Sequence, residues 1–167
     1  MPSPPPTVSR RRVLFGTAAL ALLGGITAAC GSPPPPPEVD ELTAQLDRAR
    51  ADSQLATDAA AATPPPPTAQ ALATVASERS AHAQALSDEL VRMVGKDAPT
   101  TTATSTTAQP AKAPTTDDVI AALRQSAHNA AQLAAKQSGY RAGLLGSIAA
   151  SCTAAYTVAL VPAKAAQ

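Results

Sequence analysis

Apolar residues recur at helical spacing in four stretches of the chain, separated by proline-rich or small-polar breaks. The first, about residues 38–62, carries Val39, Leu42 and Leu46 on one face, with Glu38, Asp40 and Glu41 crowding its start, where carboxylates favour the positive end of a helix. The second, about 68–94, places Leu72, Val75, Leu86, Leu90 and Met93 on one face and meets Gly95, a residue suited to ending a helix. The third opens after Pro114. Thr115 and Asp118 have the spacing of a capping box, and Val119, Ile120, Leu123, Ala127, Ala130 and Ala134 share a face that runs to Ser138-Gly139. The fourth runs from about Tyr140 to Val161, before Pro162.

This pattern predicts an all-α fold: an alanine-rich four-helix bundle of two helical hairpins, 38–95 and 115–161. They are joined by a Thr/Pro/Ala-rich segment, 96–114, with a tail at 162–167. The joining segment holds no large apolar residue and reads as a disordered or glycan-decorated loop, with nothing to bury. It is long enough either to turn back directly or to cross the bundle, so the spacing leaves the topology open. The fourth helix carries no charge from Ala142 to Ala163. It is expected to be the buried member of the bundle. The alternative is a membrane span, a reading to which its length and the pair Gly139-x-x-x-Gly143 also lend themselves.

Composition supports helices over strands. Alanine accounts for 41 of the 167 residues, and it leads the helix scale while being depleted in strands. Lys and Arg number 13 against 12 Asp and Glu, which excludes binding to nucleic acid through a basic face.

The N-terminus reads as an address. Arg10, Arg11 and Arg12 precede an uncharged run, Val13–Ala29, in the manner of a signal peptide over residues 1–29. Ser-Arg-Arg followed by apolar residues resembles a twin-arginine export signal, with the general secretory route as the alternative. Thr27-Ala28-Ala29-Cys30 resembles a lipobox, in which Cys30 becomes lipidated and N-terminal, followed by a polyproline spacer through residue 37. Two acyl chains suffice for stable anchoring. Such a mature chain would sit on the outer face of a bacterial cytoplasmic membrane with a single thiol, Cys152, expected to be a small buried apolar residue.

Candidate chemistry is sparse. A di-iron bundle needs carboxylates on all four helices, yet none occurs from Val119 to Gln167. Glu78 and His82, four residues apart on one helix face, and His128 are the remaining metal-ligand candidates. The helical wheel sets His82 at the edge of its apolar stripe and His128 towards solvent. It brings Arg79 nearer the stripe's centre, which points to a buried polar contact or an imperfect helix. Tyr140 and Arg141 are expected to cap the bundle, with Arg141 in solvent. Nucleophile motifs and phosphate loops are missing. The expectation is therefore a non-catalytic exported lipoprotein without cofactor that acts through protein contacts in the cell envelope. A metal- or small-ligand-binding bundle using Glu78 and His82, and a membrane protein spanning at 142–163, are the alternatives.

The export and lipidation pattern, the alanine-rich hairpins and the segment Ser138-Gly-Tyr-Arg-Ala-Gly-Leu-Leu-Gly-Ser-Ile-Ala-Ala-Ser-Cys152 together resemble an uncharacterised ferritin-like family of exported actinobacterial lipoproteins. The resemblance covers mainly residues 115–161. It implies a ferritin-like helical bundle and assigns no catalytic residue.

Overall fold

A computed structural model describes residues 37–95, 98 and 112–161. The signal peptide, Arg10–Arg12, Cys30, most of the spacer and of segment 96–114, and the tail 162–167 lie outside the described residues. Those described form an all-helical bundle of α1 (Pro37–Ala61), α2 (Pro66–Val94), α3 (Thr116–Ala134) and α4 (Gly139–Ala154). A single π-helical turn, Ala155–Ala159, continues α4.

Local chemistry accounts for the ends of these helices. Pro66 enters α2 within its first turn, where the missing N–H is no loss. Gly95, at φ 64°, closes α2 and donates its N–H to Val91 O. The expected capping box is present at α3: Asp118 N–H donates to Thr115 Oγ1 at 3.3 Å, and Thr115 N–H returns to Asp118 Oδ2 at 2.8 Å. The Thr115 hydroxyl also donates to Asp118 Oδ2, at 2.7 Å, and this bond first and the Thr115 N–H second hold the Asp118 pKa below its ordinary value. α1 ends less comfortably. Thr63 adopts φ 59°, a left-handed backbone that a β-branched residue rarely takes.

The core is leucine set among alanine. Leu42, Leu46, Leu72, Leu86, Leu90, Leu123, Leu145 and Ile148 are wholly buried, with Ala49, Ala56, Ala59 and Ala130 between them. The faces expected of the first three helices are the buried ones, with Met93, Ile120 and Ala134 at their partly buried margins.

Cross-helix contacts settle the topology that spacing left open. Lys136, past the end of α3, meets Glu41 at the start of α1 at 3.5 Å. Arg92, near the end of α2, stacks at 4.3 Å on Tyr140 at the start of α4. Each helix is thus antiparallel to both of its neighbours around the square α1-α2-α4-α3, and α2 and α3 run parallel on a diagonal. Residues 96–114 therefore join opposite ends of the bundle. α3 is 19 residues long, or about 28 Å, well within reach of such a segment. Packing is closest within each hairpin and next between α1 and α3, whereas α2 and α4 meet through longer side chains such as Arg92 on Tyr140.

The fourth helix departs from expectation. It is not the buried member of the bundle. Only Leu145, Ile148 and Cys152 are buried along α4, while Gly143, Gly146, Ala150 and Ala154 are exposed. Among the described residues its outer side faces no other helix, as holds for every helix at a corner of such a square. By length and composition alone, Gly139–Ala159 remains apolar enough to cross a membrane. The π turn also has a local reason. Buried positions 145, 148, 152 and 155 would continue to Ala159 in an α-helix. The longer bond from Leu160 N–H to Ala155 O brings Leu160 to the core instead (4 % exposed) and turns Val158 outward, 75 % exposed. Arg141, expected in solvent, is half-buried and donates to Gln137 Oε1 at 3.0 Å.

Replacing the α3 cap by Thr115→Ala is expected to cost about 1 kcal/mol. Urea denaturation followed by circular dichroism measures it, and an unchanged midpoint would remove the cap from the stability argument.

Candidate functional site

The centre of the bundle is polar. Asp52 of α1, Arg79 of α2 and Ser126 of α3 are buried, at 5 %, 2 % and 1 % exposure. Arg79 donates from Nε at 3.1 Å and from Nη2 at 2.9 Å, and Ser126 donates its hydroxyl at 2.6 Å, all to Asp52 Oδ2. One carboxylate oxygen thus gathers three donors from two other helices. Charge-assisted bonds of this kind are short and strong, and their number offsets the desolvation of the two ions.

α4 completes the layer from the fourth side. Cys152 is buried (1 % exposed), and burial pushes its thiol pKa up against the opposing pull of the Arg79 charge. A thiol so placed stays protonated, packs as a small apolar group and is a poor nucleophile. Beside it, Ser151 donates its hydroxyl to Glu78 Oε2 at 3.1 Å, linking α4 to the exposed side of α2.

The candidate ligands fall at separate places. His82 is half-buried, with Nδ1 3.2 Å from Arg79 Nη1. Arginine can only donate, so Nδ1 accepts and the ring proton sits on Nε2. Burial first, and the Arg79 charge second, lower the His82 pKa, with Glu78 opposing. A cation would approach this imidazole past a guanidinium. Glu78 is exposed and engaged by Ser151, and His128 is exposed on the α3–α4 side. Among the described residues no three His, Cys, Asp or Glu side chains come together where they could hold a metal ion.

The wheel position of Arg79 pointed to a buried polar contact, and that contact is Asp52. Asp52 and Ser126 escaped the sequence reading, although Asp52 left a signal. It sits in the apolar stripe of α1, thirteen residues before Pro65, and Arg79 lies fourteen after it, so a hairpin turning there faces one with the other. Ser126 left no signal, since serines are common on either face of a helix.

No family model, curated protein or solved structure matches this chain.

Two outcomes follow from the polar centre. Asp52→Ala, which leaves Arg79 buried without a counter-ion, should cost about 3–5 kcal/mol, whereas Asp52→Leu combined with Arg79→Met should recover most of that loss. Urea unfolding of the three proteins decides it, and a double variant no more stable than the single would remove the ion pair as the cause. The second concerns pH. A lowered His82 pKa means that the unfolded chain takes up this proton first, so its contribution to stability is complete above the unfolded value, near 6.5. It is lost as pH falls from there through the folded value. Stability should therefore drop between pH 7.5 and pH 5, and His82→Gln should flatten that part of the profile.

Proposed function

We propose that this chain is an exported lipoprotein, anchored through Cys30 to the outer face of a bacterial cytoplasmic membrane, and a non-catalytic helical module that acts through protein contacts in the cell envelope. The observation that carries the reading is the run from Arg10-Arg11-Arg12 through the uncharged Val13–Ala29 to Thr27-Ala28-Ala29-Cys30, which has the order of a signal peptide ending in a lipidation site. The site geometry supports the non-catalytic part. Asp52, Arg79 and Ser126 satisfy one another in the interior, His82 and Glu78 are each engaged by a neighbour, and the thiol of Cys152 is held protonated.

The connectivity supports the ferritin-like part. Two antiparallel hairpins whose middle helices run parallel need one long crossover, which is the arrangement of ferritin-like bundles. The carboxylates of a di-iron centre are not among this chain's residues after Asp118, so the proposed relationship is one of architecture.

Mass spectrometry of the protein recovered from bacterial membranes tests the reading. The expected species begins at Cys30 and carries the added mass of a diacylglycerol. A mature chain starting at Gly31, or an unprocessed Met1 start, would overturn it.

A further inference from the structure

Between α3 and α4 runs an open groove of about 650 Å³, within the range of small-ligand sites. Its floor is alanine from both helices: Ala127 and Ala131 from α3, and Ala149, Ala150 and Ala154 from α4. Larger side chains at these positions would fill it. Thr153 and Thr157 also line it, but their hydroxyls donate to Ala149 O at 2.8 Å and Thr153 O at 2.6 Å. Their protons are therefore spent on the backbone, and the floor offers no free hydroxyl donor.

One end is different. Arg124 and His128, four residues apart on α3, stand over the groove where Tyr156 of the π turn enters it. The Arg124 guanidinium lies 5.4 Å from the Tyr156 ring, and stacking of this kind restrains a long cation while leaving its N–H edge available. Among the described residues no carboxylate lines the groove or pairs with Arg124. The second hairpin has no carboxylate side chain beyond Asp118 to supply one. A fixed cation and a donor-capable imidazole thus sit at the head of an apolar trough with no counter-ion among the described residues. Two such groups are too few for a polyanion. They match one anionic head, and the trough matches a tail.

We propose that the α3–α4 groove binds an amphiphilic anion, a carboxylate or alkyl phosphate carrying an aliphatic tail. The head is held by Arg124 and His128, and the tail lies along the alanine floor towards Ala131 and Ala149. The site is separate from the polar centre and does not rest on the lipid anchor.

Isothermal titration of the purified chain tests it, with dodecanoate, dodecyl phosphate, dodecyltrimethylammonium and inorganic phosphate as probes below their aggregation thresholds, and phosphatidylglycerol vesicles as a further arm. Saturable binding of the two anionic amphiphiles is expected, with at least tenfold weaker binding of the ammonium amphiphile and of phosphate. Arg124→Gln should weaken the anions at least tenfold and Arg124→Lys should restore most of the affinity. Ala150→Leu, at an exposed position that fills the trough, should abolish binding with the helical signal unchanged. Equal affinity for the ammonium amphiphile overturns the proposal, as does binding indifferent to both Arg124→Gln and Ala150→Leu. Binding to vesicles without binding of the free amphiphiles also overturns it, and assigns the face to a membrane surface.

Discussion

A carboxylate and a guanidinium buried side by side in a small bundle impose more order on it than any apolar contact. Taking both charges out of water costs several kcal/mol per ion, and here that cost is offset at a single oxygen, Asp52 Oδ2, which receives two N–H groups of Arg79 and the hydroxyl of Ser126. The three partners come from three helices, so the offset exists in one mutual register only. The surrounding core is poor in shape: buried alanines such as Ala49, Ala56, Ala59, Ala76, Ala83, Ala127 and Ala130 make up much of the first three helices' inner faces. Sliding one alanine-rich face past another by a turn sacrifices little apolar contact, but it strands a charge. The polar centre therefore supplies the register that side-chain shape does not, as buried polar groups do in coiled coils.

The same interaction explains which parts of the fold were legible. Periodicity located all four helices because each has at least one buried stripe, and the Thr115–Asp118 box located the start of α3 because both of its bonds are local. Arg79 was legible as an anomaly, a cation near the middle of an apolar stripe. Its partner was not identified, although the hairpin turn at Pro65 sets Asp52 opposite it. Topology was illegible for a different reason. The direction of α3 is decided by contacts such as Asp52 with Ser126 and Glu41 with Lys136, 74 and 95 residues apart, and nothing in the joining segment's composition encodes them.

In the fourth helix the lack of charge does not signal burial. Burial of a helix is decided by how many neighbours surround it, and in a square of four every helix, α4 included, keeps an outer side. Its inner stripe, Leu145, Ile148 and Cys152, meets the core, and its outer side is small and uncharged yet exposed. The π turn shows that the inner stripe governs. An α-helical continuation would have buried Ala159, and the extra residue in the turn buries Leu160 instead, a gain of roughly three buried carbons at about 0.8 kcal/mol each. Its by-product is the placement of Tyr156 beneath Arg124. π turns are often found at functional sites, and here a packing demand in the core is what shapes the surface at the head of the groove.

Charge is also divided unequally between the hairpins. The first hairpin's Arg79 is engaged internally by Asp52, and the half-buried Glu41 and the exposed Glu78 meet Lys136 and Ser151 from the second. The second hairpin, with no carboxylate side chain after Asp118, cannot neutralise its own cations. Lys136 reaches across to Glu41, but Arg124 lies on the side where α3 meets α4, and among the described residues no carboxylate lines that side. The Asp52–Arg79–Ser126 cluster is therefore satisfied within the bundle, and the α3–α4 face is not. Among the described residues that face combines a guanidinium paired with no carboxylate and alanines too small to fill the space between two helices, so an occupant supplying both a negative charge and apolar volume would lower its free energy.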